Sequence, residues 1–187
     1  NRPADRSDSF TNISPKLGLS YALNDSHSLQ FRAQRGFRAP QASEMYRLQN
    51  DQNIADLDSV ELDSYEVEFK GAGEGWAYSA GYYFMDKQNE IVTNSDRVNL
   101  NNSHTQHTGL EFTLGLDITE TLALAAVYNF AEHTYENSEL SGGIDIQGNN
   151  VDTAPRQFGN LRLRWTPSER ITSELELVSM GEYYTNP

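Results

Sequence analysis

An alternating strand pattern ends within the stretch Arg35-Gly36-Phe37-Arg38-Ala39-Pro40-Gln41-Ala42-Ser43-Glu44-Met45-Tyr46. Just before this stretch, Leu29, Phe31 and Ala33 occupy every second position and polar residues fill the positions between them, which is the period of a β-strand. Pro40 has no amide hydrogen to give to a sheet, and it restricts the residue before it to extended conformations. We therefore expect strand pairing to end near Phe37 or Arg38, where the chain enters a loop.

The same two-residue period recurs along the chain and predicts eight strands joined as four hairpins. Short turns at 24–26, 71–75, 117–120 and 166–168 alternate with long polar connections at 41–58, 94–104 and 132–154, the first of which is expected to contain a helical turn at 42–48. In an antiparallel sheet this order places every turn at one end and every long loop at the other. A soluble meander has no reason to sort its connections in this way, whereas a transmembrane β-barrel has short turns on one side and long loops on the other.

The aromatic residues are sorted along the strands as well. One group lies beside the short turns (Tyr21, Phe69, Trp76, Trp165) and another lies beside the long loops (Phe37, Phe84, Tyr128, Phe130). Between positions 76 and 84 a strand advances roughly 26 Å, or about 20 Å along the membrane normal at the usual tilt. This spacing predicts an apolar band between two interfacial girdles, with lipid-facing side chains at Trp76, Tyr78, Tyr82, Phe84, Leu110, Phe112, Leu122, Leu124, Leu161, Leu163 and Trp165.

The charge balance, the absence of cysteine and the N-terminal sequence limit the kinds of protein that this chain can belong to. Fourteen basic residues stand against twenty-seven acidic ones, a net charge of −13, which argues against nucleic acid. The 187 residues contain no cysteine, so disulfides and thiolate metal sites are excluded. The chain starts without an initiator methionine or a leader pattern, and we expect it to be an internal piece of a longer protein. The polar strand face would also suit the solvated face of a soluble β-sandwich, but the sorting of loops and aromatics favours a barrel.

Several motifs resemble those of the TonB-dependent receptors of the outer membrane. They are Phe37-Arg38-Ala39-Pro40 followed by Glu44-Met45-Tyr46, then the runs at 61–68, 82–92 and 107–111, and finally the stretches at 153–156 and 181–184. The resemblance covers nearly the whole chain and implies one region, 1–187, from the second half of a twenty-two-stranded barrel. The expected fold is all-β, an antiparallel meander of about eight strands that forms an arc of a transmembrane barrel, with the plug domain outside this chain.

The resemblance also implies a function, a location and partners. A receptor of this kind sits in the outer membrane of a Gram-negative bacterium and imports a scarce chelate, such as a ferric siderophore, with energy that TonB delivers through the plug. The expected partners are therefore the chelate, the TonB complex and lipid, with no nucleic acid and no cofactor. A passive porin and a soluble β-sandwich or lectin-like binding module are the alternatives. Haem is disfavoured, because residues 41–60 contain no histidine and read Asn53-Ile54-Ala55-Asp56-Leu57 where haem receptors carry their Asn-Pro-Asn-Leu box.

Two groups of candidate site residues follow, one from the resemblance and one from the chemistry of ligand binding. Glu66 and Glu111 match receptor positions at which barrel glutamates meet plug arginines, so within this chain we expect both carboxylates to lack arginine partners. Tyr46, Arg47 and Tyr135 are candidates for chelate binding, because aromatic rings and a guanidinium can hold an anionic aromatic ligand.

No constellation indicates an enzyme or a metal centre. Glu66 and Glu68 share a strand face, but no nucleophile or base is spaced to work with them. His104 and His107 are three residues apart, which does not bring two ligands together on a strand.

Overall fold

The computed structural model describes residues 7–46, 56–93, 98–137 and 145–185. These residues form eight strands and one short helix in a single antiparallel sheet, in which the strand order follows the sequence from β1 to β8. The predicted meander of hairpins is confirmed. The elements are β1 (Lys16–Ala22), β2 (His27–Arg38), α1 (Ala42–Met45), β3 (Val60–Gly73), β4 (Trp76–Thr93), β5 (Asn99–Thr119), β6 (Leu122–Tyr135), β7 (Gln157–Ser168) and β8 (Ile171–Met180).

One face of the sheet, here called the outer face, is apolar across neighbouring strands. The register joins successive apolar residues into one row that crosses β1 to β6 (Leu19, Phe31, Val67, Tyr82, Leu110, Phe130). These side chains remain exposed, with Leu19 at 65% and Leu110 at 52%. Among the described residues no second layer covers this face, so the sandwich alternative is wrong. A continuous exposed apolar surface of this kind is what a bilayer covers.

The opposite face, here called the inner face, is polar, and apart from Tyr83, which lies mid-strand, the buried apolar residues lie towards the ends of the strands that meet the long connections. We call this end the loop end and the other the turn end. Within the described ranges the buried apolar residues are Met45, Leu57, Val60, Tyr83, Ala131, Tyr135 and Ile146. The sheet therefore has its tightest packing where the long loops leave it, which gives those loops a rigid base.

The strands at the loop end run further than the sequence predicts. β4 continues to Thr93 and β5 already begins at Asn99, so most of the predicted 94–104 loop is a paired hairpin. Similarly, β6 continues to Tyr135 into the predicted 132–154 loop. Outside the bilayer neither face has to be apolar, so the two-residue period disappears from the sequence although strand pairing continues.

At the turn end the connections are short, as predicted. Glu74 and Gly75 alone join β3 to β4, and Gly75 has φ +71°, a left-handed conformation that glycine adopts without steric cost. No helix in the described part of the chain is long and apolar enough to cross a membrane.

An aromatic ring covers a glycine at several cross-strand positions. Tyr83 of β4 is paired with Gly109 of β5, and a Cβ atom on Gly109 would lie only 2.4 Å from Cζ of Tyr83. Tyr78 covers Gly71 in the same way, at 2.5 Å from such a Cβ. These contacts explain physically why the motif that precedes Glu111 contains glycine: the position has no room for a side chain.

Candidate functional site on the inner face

The inner face carries Glu66 midway along β3. Its Oε2 accepts a hydrogen bond from Nη1 of Arg32 at 2.6 Å, and the hydroxyl of Ser64 lies 3.4 Å from Oε1. The expectation that Glu66 has no arginine partner within the chain is therefore wrong. Arg32 lies directly opposite Glu66 in the register of β2 with β3, and the long connection between those strands gives no way to deduce that register from sequence.

Glu111 is in a different environment, although it also lies on the inner face. Its Oε1 accepts a hydrogen bond from the amide of Asn129 at 3.1 Å. It forms no ion pair with any described residue. Of the two predicted plug-contacting glutamates, Glu111 is thus the one whose charge is not compensated by a cation in the described wall.

A concavity of about 310 Å³ joins the two glutamates. Its lining includes Arg32, Glu66, Glu68, Tyr83, Met85 and Glu111. Two of the three carboxylates in the lining are paired with a cation. Glu68 is paired with the ammonium group of Lys70 at 3.0 Å, and Glu66 is paired with the guanidinium of Arg32. The remaining carboxylate belongs to Glu111, which gives the concavity an acidic side able to receive a cationic group.

At the loop end, the Phe-Arg-Ala-Pro stretch has a clear structural role. Nη1 and Nη2 of Arg38 donate to the two carboxylate oxygens of Glu44 at 2.8 and 3.1 Å, and the backbone amide of Gln41 donates to Glu44 at 2.6 Å. The hydrogen bond from Arg38 lowers the pKa of Glu44 below its ordinary value. The motif arginine therefore fixes the first turn of α1 directly after the bend at Pro40.

Two asparagines of β5 fasten the β2–β3 connection to the long hairpin. The side-chain amide of Asn99 donates to the carbonyl of Glu44 at 2.8 Å. Asn101 accepts from the backbone amide of Asp58 at 2.7 Å and donates to its carbonyl at 3.1 Å. The described parts of this loop are therefore held at both ends by hydrogen bonds between asparagine side chains and backbone atoms. These bonds fix the loop ends in one conformation.

The candidate chelate-binding residues lie at the loop end. The hydroxyl of Tyr46, just after α1, donates to Asp8. The hydroxyl of Tyr135 donates to Asp152 at 2.8 Å, and burial raises the pKa of this side chain, which is only 6% exposed. Arg47 lies outside the described residues. Both tyrosine hydroxyls already have acceptors; the ring of Tyr46 is half-buried, whereas the ring of Tyr135 is buried in the packing at the loop end.

A pair of histidines was not predicted from the sequence. His107 of β5 and His133 of β6 are directly opposed, and their Nδ1 atoms are 2.7 Å apart. Burial, followed by the proximity of His133, lowers the pKa of His107 to about 4. His104 lies on the other face, where it contacts Asp86 at 2.7 Å. The partner of His107 lies on the next strand, so the spacing of histidines along the sequence does not reveal the pair.

This pair lies beyond the apolar band. On the outer face at this level the register pairs Thr108 with Glu132 and Gln106 with Thr134, and all four side chains are polar. Lipid-facing positions do not tolerate such rows. The two histidines are therefore at the loop-end mouth of the sheet.

Comparison with known proteins identifies the family. The family described as TonB dependent receptor-like, beta-barrel matches residues 1–187. Among solved structures, the ferric yersiniabactin uptake receptor FyuA from Yersinia pestis superposes with a TM-score of 0.73 at 14% identity, over 91% of this chain and 26% of the receptor. The ferric citrate transporter FecA gives a TM-score of 0.72 at 19% identity, over 89% of this chain and 25% of that protein.

The siderophore receptor PirA from Pseudomonas aeruginosa gives a TM-score of 0.71 at 22% identity, over 92% of this chain and 31% of the receptor. No curated protein matches the chain. The chain thus spans about a quarter to a third of the solved receptors whose fold it shares. The chain belongs to the TonB-dependent receptor β-barrel family, and its strands form part of a barrel wall in the outer membrane of a Gram-negative bacterium.

Proposed function

We propose that the protein containing this chain imports a metal chelate, such as a ferric siderophore, across the outer membrane with energy delivered by TonB. The observation that carries the proposal is the family match over residues 1–187. The solved receptors with the same fold are described as a ferric yersiniabactin uptake receptor, a ferric citrate transporter and a siderophore receptor, which supports an iron chelate as the substrate class.

Recognition of the chelate would take place at the loop end. There, the described ends of the β2–β3 connection, 39–46 and 56–59, are fastened by Arg38, Asn99 and Asn101, and segments that are already fixed lose less conformational entropy when a ligand binds. Tyr46, Arg47 and Tyr135 are the proposed contacts. Their aromatic rings and the guanidinium suit a planar, anionic chelate.

Contact with the plug would take place at the inner-face concavity. Arg32 already compensates the charge of Glu66, whereas Glu111 is bonded only to a neutral amide among the described residues. A plug arginine would therefore gain more from Glu111 than from Glu66, because the second charge-assisted pair at Glu66 would have to share an acceptor. Accordingly, we expect Glu111→Gln to loosen the plug more than Glu66→Gln does.

Uptake of a radiolabelled ferric chelate by cells tests the proposal. Cells that express the intact receptor should take up iron from at least one chelate, and deletion of TonB should abolish the uptake while leaving binding at the cell surface. A passive porin would give uptake that persists without TonB, and this result would contradict the proposal.

Hydrogen exchange of the plug in Glu111→Gln, with Glu66→Gln as the matched control, tests the proposed plug contact separately.

A further inference from the structure

The histidine pair at the loop end has the features of a metal-binding site. The two Nδ1 atoms face each other at 2.7 Å, and the rings lie at 58° with their centroids 4.9 Å apart. Both side chains are partly exposed on the inner face, so a small ion can reach them from the mouth of the sheet. Imidazole nitrogens at this separation can share one ion after a small rotation of the rings, since two ligands of a tetrahedral metal are roughly 3.3 Å apart.

The second ring nitrogen of His107 is held by a buried group. Nε2 lies 3.1 Å from the hydroxyl of Thr105, which is only 1% exposed. When Nε2–H donates to that hydroxyl, Nδ1 keeps its lone pair and points at His133. Support of the distal nitrogen is the usual way in which proteins orient a metal-binding histidine.

A third donor lies in the same cross-strand row. Met85 of β4 is directly opposite His107, and side chains at such positions share a face with their Cβ atoms about 4.5–5.5 Å apart. The thioether is carried on a flexible, unbranched chain that can reach a neighbouring ion. The carboxylate of Glu90, whose charge acts on His107, already forms an ion pair with Lys87.

We propose that His107, His133 and Met85 bind a single monovalent copper ion. Two imidazoles suit several transition metals, but a thioether selects a soft ion, and Cu(I) satisfies both kinds of ligand. The described residues contain no cluster of three His, Cys, Asp or Glu side chains, which leaves Zn(II) without its usual set of ligands. This site goes beyond the proposed uptake of a chelate, because here the protein's own side chains hold the ion.

Titration of the intact receptor with Cu(I), in detergent and in competition with a coloured Cu(I) chelator, tests the site. The wild type should bind one copper ion more than His107→Gln or His133→Gln. Its affinity for that ion should be at least about tenfold above any copper binding that remains in the variants, because loss of even a residue that only hydrogen-bonds to a metal ligand lowers metal affinity by about tenfold. Met85→Leu should weaken Cu(I) binding while leaving the weaker binding of Zn(II) unchanged. His104→Gln, on the same strand but on the outer face, is the matched control and should bind copper like the wild type.

X-ray absorption at the copper edge adds a measurement on the unaltered receptor. A sulfur neighbour together with two nitrogen neighbours is expected. Equal copper binding by all the variants, or a shell of nitrogen and oxygen without sulfur, would overturn the assignment. Neither result would bear on chelate uptake, which is measured in cells by a different assay.

Discussion

Substitution of Gly109 by alanine should destabilise the barrel wall, whereas the same change at Gly115 should not. Both glycines lie on the inner face of β5. A Cβ on Gly109 would meet Cζ, Oη and Cε1 of Tyr83 at 2.4, 2.5 and 2.6 Å, while the nearest atom to a Cβ on Gly115 is a backbone oxygen at 4.0 Å. Tyr83 is only 8% exposed, so displacing its ring from position 109 breaks packing contacts that bury it.

The structure gives a magnitude for this difference. The ring must shift by about 1 Å to reach ordinary van der Waals contact, and overpacking of this kind costs about 1–3 kcal/mol. Both alanines restrict the unfolded chain equally, which stabilises each variant by about 0.4–1 kcal/mol. Since this contribution cancels between the variants, Gly109→Ala should be less stable than Gly115→Ala by about 1–3 kcal/mol.

Urea unfolding of the intact receptor in lipid vesicles, followed by tryptophan fluorescence, measures both variants. A double-mutant cycle isolates the contact, because Gly109→Ala in a Tyr83→Ala background has no ring to displace and should lose most of its cost. If the two glycine variants unfold at the same urea concentration, or if the cycle gives no coupling, the proposed clash between Tyr83 and position 109 is wrong.

Three further predictions concern the bilayer, acid and loop attachment. Ala80→Arg on the outer face should destabilise the refolded receptor by about 2–4 kcal/mol in urea unfolding, and Ala77→Arg on the inner face by much less; equal costs would contradict the assignment of the faces. The pKa of Glu44 is held below 4.5 by its hydrogen bond from Arg38, so the stability from this pair is present above pH 4.5 and is lost as the pH falls through the lowered pKa. The protection factors of amides 41–46, which are corrected for the intrinsic pH dependence of exchange, should therefore fall in acid, and Glu44→Gln should abolish this fall; a variant whose protection still falls in acid would show that another group titrates. Asn101→Ala removes two hydrogen bonds to Asp58 and one to the carbonyl of Asn89, and it should open the 56–59 segment by about 1–3 kcal/mol, measured as faster exchange of its amides, whereas unchanged exchange would show that other contacts hold it.

The alternation of apolar and polar residues made the membrane-spanning part of the fold predictable. Where one strand face meets lipid and the other does not, the sequence must alternate, and the ends of β1 and β2 lie close to the predicted ones, whereas the turn predicted at 166–168 falls at 169–170. Beyond the bilayer this requirement ends. The long β4–β5 hairpin was therefore mistaken for a loop, since consecutive residues such as Asn101, Asn102 and Ser103, which point to alternate faces, are all polar.

Contacts between strands were harder to predict than the strands themselves. A short turn fixes the register of a hairpin, whereas a long connection leaves it open, and a shift of one residue moves every side chain to the other face. The Arg32–Glu66 pair spans the long connection between β2 and β3, so it could not be deduced. The His107–His133 pair spans the short turn between β5 and β6, but the irregular pairing between Asp117 and Thr119 hides its register.

The connectivity of the sheet has a consequence for how the barrel tolerates change. Among the described strands, each one is hydrogen-bonded only to the strands before and after it in sequence. Such a wall behaves as a linear array in which an alteration is felt by the adjacent hairpin and fades beyond it, as in solenoid proteins. Loops above one hairpin can thus be exchanged or lengthened while the rest of the wall stays in place. The loops of such a wall can in this way diverge in sequence while the strands beneath them keep their pairing.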